Sequence, residues 1–489
     1  MPLGNHAAEK SMRASAYPSI FCRNLTFRYE EKARPTFEDV SFSVERGEAV
    51  LLMGPSGCGK STLAYCLAGL YPEYAGTLTG ELRVEGADIA QLSPNVRAKR
   101  VSILFQNPDN QFCMGQADHE ILFALENIAY PGDMRARSRE LLRFAGLEWA
   151  KNAPIHTLSG GTKQKIALAA ALATEAKTLI LDEPFANVDL GACAELSKRL
   201  KSLNEEGLTL FIVDHRLDYW RSFLSRVMIM DGDGRIRETV YPAELENRKS
   251  VFVERGLFFG NERLLGLAPS PPPPSVENAV VIEDLSVAYG RKVVFSSLSL
   301  TVRKGTITAL IGENGSGKST LLSAIAGLIR FRGTLDVFAE VGLVFQNPRY
   351  QFLSLKVRDE IRITLKSARR AQADDRVAEA EIEALLAEFG LTAYADASPY
   401  VLSQGQQRRL AILSMLAGSR PILLLDEPTY AQDEQSTFFI MDLLQKRVSR
   451  GLTAIIATHD HALARAFAHR VLCLKDGALL EWNDGEPAA

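Results

Sequence analysis

Two short stretches of this 489-residue chain carry the residue types, in the right order, to hold a polyphosphate. Gly54-Pro55-Ser56-Gly57-Cys58-Gly59-Lys60-Ser61-Thr62 and Gly312-Glu313-Asn314-Gly315-Ser316-Gly317-Lys318-Ser319-Thr320 both read glycine, four residues, then glycine-lysine-serine. Such glycines let the backbone curl until its N–H groups point at an anion, and the helix that follows adds its positive end. Lys60 and Lys318 are placed to reach the outer phosphates, and Ser61 and Ser319 to ligate magnesium. The pairs Asp182-Glu183 and Asp426-Glu427 each close an apolar run. In each, the first carboxylate suits a magnesium ion held through water, and the second suits the orientation of an attacking water. His215 and His459 stand 33 residues beyond Asp182 and Asp426 and are candidates to contact the terminal phosphate. Gln106 and Gln346 are candidates to sense the metal and the water. Tyr29 and Tyr289, 31 and 29 residues before the lysines, are candidates to stack on a nucleobase. A Cys58 thiol inside the first loop reads as a tolerated small side chain.

These groups need rigid elements to hold them. Val50–Met53 and Thr308–Ile311 are short apolar runs feeding the glycine loops; 178–181 and 422–425 are buried-strand runs ending in the acids; 210–213 and 454–457 are further strands. Strands alternating with helical patterns predict an α/β fold with a mainly parallel core sheet. The pattern occurs twice. FQNPDNQF from Phe105 returns as FQNPRYQF from Phe345, and LSGGTKQ from Leu158 returns as LSQGQQR from Leu402. The interval from Ser159 to Asp182 is 23 residues, as is that from Ser403 to Asp426. Duplication of one fold accounts for this. One interval differs: 46 residues separate Lys60 from Gln106, but 28 separate Lys318 from Gln346. The extra segment of the first half, GELRVEGADIAQLSPNVRAKR, reads as a hairpin plus a polar turn, so a reduced peripheral β-region is expected in the second half. PSPPPPS at 269–275 is a polyproline spacer. The expected organisation is a mobile tail over 1–18, a first domain over 19–262, a linker over 263–277 and a second domain over 278–489.

Composition bounds the function. A net charge of -3 gives no global basic field for nucleic acid. Six cysteines without CxxC spacing argue against a zinc site or a disulfide framework. No apolar run reaches the ~20 residues of a membrane-spanning helix, and the N-terminal residues lack the apolar core of a signal peptide.

With LSGG at 158–161 and LSQG at 402–405 added to the loops and acids, the chain closely resembles the ABC ATPases over nearly all of 19–489. The resemblance implies two P-loop nucleotide-binding domains, each with a parallel core, an antiparallel β-region and a helical signature subdomain. It implies ATP and Mg²⁺ as cofactors and a head-to-tail pairing. In that pairing Lys60, Asp182, Glu183 and His215 work with Ser403, Gln404 and Gly405, while Lys318, Asp426, Glu427 and His459 work with Ser159, Gly160 and Gly161. No second ATPase chain is then required. Asp189 and Asp433 occupy the family's D-loop position. The signatures depart from the family pattern at Thr162 and Gln404, so the two sites are expected to be unequal, with both hydrolysing ATP.

FQNPDNQF, HEILFALEN from His119 and VDHRLDYW from Val213 resemble the ATPases of energy-coupling-factor and cobalt-type importers. That resemblance implies a motor on the cytoplasmic face of the cell membrane, importing a vitamin or transition metal. Its partners would be a transmembrane coupling subunit and a small membrane substrate-binding subunit. The alternative is a soluble tandem-cassette translation factor acting on the ribosome. Such proteins usually carry a long charged linker, and PSPPPPS is short and uncharged. Tandem sugar importers usually have a degenerate second P-loop, and GENGSGKST is intact.

Overall fold

The computed structural model describes the chain except residues 1–16, 74, 186–187, 189, 261, 270, 272–276, 291, 369–374, 431 and 483–489. The tail expected over 1–18, most of the polyproline run and Asp189 lie largely or wholly outside the described residues. Two compact units divide the chain, Met1–Gly260 and Asn261–Ala489.

Each unit is an α/β cassette with a six-stranded sheet. In the first the order is Val101–Leu104, Thr178–Asp182, Thr209–Val213, Ala49–Met53, Arg226–Met230 and Ile236–Val240. All neighbours are parallel until the last pair, which is antiparallel. In the second the order is Val341–Val344, Ile422–Asp426, Thr453–Ala457, Ile307–Ile311, Arg470–Lys475 and Ala478–Glu481, with the same single antiparallel edge. The glycine-loop strand is third from one edge in both, beside the strand that leads to the histidine.

The apolar runs are continuous because both sheet faces are covered. In Ala49–Met53 every residue is buried. Its odd members Ala49, Leu51 and Met53 pack with Leu196 and Leu200 of the helix Leu190–Glu205. Its even members Val50 and Leu52 pack with Leu63 and Leu67 of the P-loop helix Lys60–Leu67. Side chains of a strand alternate between faces, so five consecutive apolar residues serve two cores.

A three-stranded antiparallel sheet flanks each core: Phe37–Val44, Ile20–Tyr29 and Gly76–Val84 in the first unit, and Lys292–Arg303, Asn278–Tyr289 and Arg332–Val337 in the second. The shortened second half therefore keeps all three strands, and the expected loss of β-structure is corrected. Of the extra segment only 80–84, the end of the strand Gly76–Val84, is extended, and that strand pairs with Ile20–Tyr29 rather than folding into a hairpin. The remainder is helical: a 3-10 turn Ile89–Gln91 capped by the Asp88 carboxylate (3.2 Å to Ala90 N) and a helix Pro94–Ala98. Proline at a first helical position after serine is a helix start, which outweighs the turn reading of a serine-proline step.

The signature helices Gly160–Ala173 and Gln404–Ala417 join the core to a helical layer. Ala167, Leu168 and Ala171 face the sheet core. Ile166, Ala169, Ala170 and Ala173 face the helices Ala117–Asn127 and Met134–Phe144, through Ile121, Leu125, Leu141 and Leu142. Alanines let this helix be buried on two sides at close approach.

Candidate ATP sites

Each glycine loop is locked by its own backbone needs. A Cβ at Gly54 would meet the Met230 carbonyl oxygen at 2.5 Å and the Cys58 sulfur at 2.9 Å. Gly59 and Gly317 cap their helices with φ of 106° and 109°, a region that β-carbon residues rarely enter. Lys60 Nζ donates to the carbonyls of Gly54 (2.8 Å) and Pro55 (3.0 Å). Lys318 Nζ does the same to Gly312 (2.6 Å) and Glu313 (3.0 Å). Both ammonium groups thus lie across the mouth of the loop where phosphate oxygens would replace the carbonyls.

The acids come to the same place. Ser61 Oγ donates to Asp182 Oδ1 at 2.9 Å, and the Ser319 side chain likewise hydrogen-bonds Asp426. Burial, with Glu183 adjacent, pushes the Asp182 carboxyl up to about 7. Burial does the same to Asp426, to about 6, against the opposing bond from Ser319. Asp182 Oδ2 is buried without a partner of ordinary hydrogen-bond geometry, although the Tyr65 hydroxyl is near enough to favour the anion. A serine hydroxyl beside a buried, under-satisfied carboxylate is a hard oxygen donor set, and it fits Mg²⁺.

Glu183 and Glu427 stand one residue beyond the sheet with φ of 48° and 51°. Their N–H groups are held by the neighbouring strand, through Val213 O (2.8 Å) and Ala457 O (2.9 Å). The first glutamate meets His215 Nε2 at 3.0 Å through Oε1, and its Oε2 accepts from Gln106 Nε2. Burial raises the Glu183 carboxyl, but His215, Lys60 and the Gln106 amide outweigh it, and the net effect is a lowered pKa. In the second unit His459 uses its other nitrogen, Nδ1, to reach Glu427 Oε2 at 3.0 Å. His215 is the more enclosed, with 8% of its side chain exposed against 24% for His459.

The signature serines cap their helices. Ser159 Oγ accepts from Thr162 N at 3.3 Å and lies 2.8 Å from the Thr162 hydroxyl. Ser403 and Gln406 form a reciprocal capping box, with 3.3 and 3.0 Å bonds. Gly160 and Gly161, like Gln404 and Gly405, form the first turn. Gln404 replaces a glycine without disturbing the helix start. The two tyrosines differ. Tyr29 donates to or accepts from Thr62 Oγ1 at 2.9 Å and packs edge-on against Phe27 and Tyr71. Tyr289 ends its strand 55% exposed.

Several positions that hold the site carried no assigned role in the sequence reading. The second glutamine of each QNP stretch bridges backbones. Gln111 accepts from Phe105 N (3.4 Å) and donates to Ala167 O (3.1 Å), and Gln351 does the same with Phe345 N (3.3 Å) and Ala411 O (2.9 Å). The repeat of QNPxxQF itself was the available signal. Five residues after each signature serine, Gln164 Nε2 donates to Phe105 O at 3.2 Å, whereas Arg408 donates to both Phe345 O (2.8 Å) and Gln346 O (2.5 Å). The acid-to-arginine change between the QNP copies is matched across this contact: Asp109 pairs with Lys163 (2.7 Å), and Arg349 donates to Gln407 Oε1 (3.2 Å). Glu120 and Glu360 tie down the following loop through the amides of Cys113 and Met114, and of Leu353 and Ser354.

Residues 37–186 and 295–430 match the family model described as ABC transporter. A Bacillus subtilis protein named "Putative HMP/thiamine import ATP-binding protein YkoD" is 35% identical, covering 95% of this chain and 91% of its own length. A Methanosarcina acetivorans protein named "Putative ABC transporter ATP-binding protein" is 31% identical over 94% and 85%. Among solved structures, one titled RNase-L Inhibitor superposes with a TM-score of 0.63 at 21% identity, covering 95% of this chain and 91% of its own. A model of ribosome-bound archaeal Pelota and ABCE1 gives 0.67 at 21%, over 94% and 78%. At that identity the two structures share the fold alone.

Proposed function

The chain belongs to the ABC transporter family, and from that premise we propose that it is the ATP-hydrolysing motor of an energy-coupling-factor-type importer for a vitamin or transition-metal micronutrient. The observation that carries this reading is the duplicated QNPxxQF stretch, built into both cassettes as a bridge between the sheet edge and the signature helix. Likeness over nearly the full length to a protein named for HMP/thiamine import supports it. No helix among the described residues is long and apolar enough to cross a membrane, which suits a motor that acts through membrane partners.

The residues divide the hydrolytic work. The P-loop amides and Lys60 or Lys318 bind and neutralise the phosphates. Ser61 with Asp182, and Ser319 with Asp426, would hold magnesium, which would supply charge neutralisation on the phosphate oxygens. Glu183 and Glu427 orient a water, with Gln106 and His215, or Gln346 and His459, around it. By the family resemblance each signature serine serves the P-loop of the opposite cassette. Partners are a transmembrane coupling subunit and a small substrate-binding subunit, with coupling helices docking near Gln106–Glu126 and Gln346–Leu365. Closure on ATP and release after hydrolysis drive those helices.

Purification of the tagged full chain from detergent-solubilised membranes tests the reading. A multi-span subunit and a small membrane subunit are expected to co-purify. Co-sedimentation with ribosomes and no membrane partner would replace it with a translation-factor function. Glu183→Gln and Glu427→Gln, made separately, test the hydrolytic assignment: full ATPase activity in either removes that site from the cycle.

A further inference from the structure

One buried acid near the first site has no part in the chemistry described so far. Asp214 immediately precedes His215 and is 8% exposed. One of its oxygens accepts from the amides of His215 (2.7 Å) and Arg216 (3.1 Å). The other accepts from the indole N–H of Trp220 at 2.9 Å. Trp220 is fully buried, and its ring lies on Phe185, with centroids 4.6 Å apart and planes 17° from parallel. Phe185 follows Glu183 by two residues. The chain thus closes a ring of contacts: Glu183 to His215, His215 to Asp214, Asp214 to Trp220, Trp220 to Phe185, and Phe185 back along the turn to Glu183.

The second cassette provides an internal comparison. At the positions matched by offset from its glutamate and histidine stand Thr458 for Asp214, Ala464 for Trp220 and Thr429 for Phe185. Three of the five members of the ring are replaced together, while the glutamate and histidine are kept. Thr458 keeps one interaction, accepting the Asp460 amide at 3.0 Å where Asp214 accepts that of Arg216. His459 is correspondingly less enclosed and presents a different nitrogen to its glutamate.

We infer that Asp214 is a positioning residue of the first ATP site, acting with Trp220 and Phe185 to hold His215 and the Glu183 turn in one arrangement. A buried carboxylate that accepts three N–H groups fixes the backbone from which the histidine projects. The stacked pair extends that constraint to the strained turn carrying the glutamate. The second site lacks this brace, so the two sites differ in rigidity as well as in their signatures. The inference rests on the reading of Glu183 and His215 as the hydrolytic pair.

The test is steady-state ATPase kinetics of the full chain bearing Asp214→Ala, Asp214→Thr or Trp220→Phe, in the wild-type and Glu427→Gln backgrounds. If the Glu427→Gln parent turns over, the effect is read there. If it does not, the effect is read in the wild-type background, where Glu183→Gln separates a coupled first site from an idle one. Misplacement of a catalytic group by a fraction of an ångström to an ångström costs about ten- to a hundredfold. Asp214→Ala is therefore expected to lower kcat by at least about tenfold with KM for ATP within about twofold. Trp220→Phe keeps the stack and both backbone bonds of Asp214 and loses only the N–H donor, and should stay within about threefold of the parent. Asp214→Thr, which keeps only the bond seen at Thr458, should fall between it and the alanine variant. Unchanged kcat in Asp214→Ala, a parallel rise in KM, or a threonine variant no better than alanine overturns the inference. Should Asp214→Ala fail to fold, the threonine and phenylalanine variants decide. Full activity of Glu183→Gln would instead defeat the hydrolytic assignment beneath it.

Discussion

The FQNPRYQF stretch of the second cassette (345–352, its Q-loop) is held in part by one buried guanidinium, and its loss has a calculable cost. Arg408→Gln installs the residue type that the first cassette carries at the matched position, Gln164. Arg408 makes two bonds to backbone carbonyls, at 2.8 and 2.5 Å. Charged donors contribute about 1.5–3 kcal/mol each, so the pair gives roughly 3–6 kcal/mol. Burial opposes this: it pulls the guanidinium down to about 10 from its ordinary 12.5, which offsets about 3 kcal/mol. The net gain is about 0–3 kcal/mol, centred near 1.5 kcal/mol. A glutamine keeps one neutral bond of about 1 kcal/mol and leaves one buried carbonyl unsatisfied at about 1–3 kcal/mol. The difference is about 2 kcal/mol of local stability, or roughly thirtyfold in an opening equilibrium. Hydrogen exchange read by mass spectrometry on peptides covering 345–352 should show that acceleration. Peptides covering 105–112 in the same sample should not change. Equal exchange before and after substitution, or the same acceleration in both units, would refute the idea that Arg408 latches its own Q-loop.

Three further outcomes follow from the site. The folded-state carboxyl of Asp182 lies near 7 because it is buried beside Glu183, whereas an unfolded aspartate titrates near 3.9. The folded protein therefore keeps a proton that the unfolded chain releases, and stability falls as pH rises from about 4 to 7. Thermal melts in EDTA should find Asp182→Asn more stable above pH 7, by up to about 4 kcal/mol, with the gap closing toward pH 4. Gly54→Ala drives a methyl against the Met230 carbonyl at 2.5 Å. It should cost about 1–3 kcal/mol in the melt and abolish tight nucleotide binding measured by calorimetry. The Asp109–Lys163 pair joins a half-exposed acid to a more enclosed lysine, 55% and 15% exposed. Asp109→Asn should change stability by less than about 1 kcal/mol, and the change should vanish in 1 M salt.

The strands were legible because each is a run of apolar residues bounded by a turn or an acid, and a sheet covered on both faces demands that pattern. Their observed limits exceed the expected ones only by the residue on either side, such as Ala49 and Asp182. Loop glycines and paired acids were legible because their chemistry restricts residue type. Segment 85–100 reads as a hairpin plus a polar turn, yet it forms two short helical pieces because Asp88 and Ser93 stand at N-cap positions. Gln164 and Asp214 are not legible as parts of the site, and Gln111 is legible only through the repeat of QNPxxQF. Each acts on backbone atoms, of a distant segment for the two glutamines and of its own turn for Asp214, and backbone partners leave no mark in side-chain spacing. The matched change from Asp109 and Lys163 to Arg349 and Gln407 is the exception, visible once the repeats are laid over each other.

The left-handed backbone of Glu183 and Glu427 sets backbone preference against side-chain contacts at two points in the chain. A β-carbon there costs roughly 1 kcal/mol that glycine would not pay. Glycine at either position would relieve that strain but lose the contacts to His215 and Gln106 in the first cassette, or to His459 in the second. The left-handed turn is therefore held by the side chain it carries, and backbone relief alone does not decide the stability of a glycine variant. Both glutamates stand against the preference of their own backbone, as the proposed hydrolysis at both sites would require.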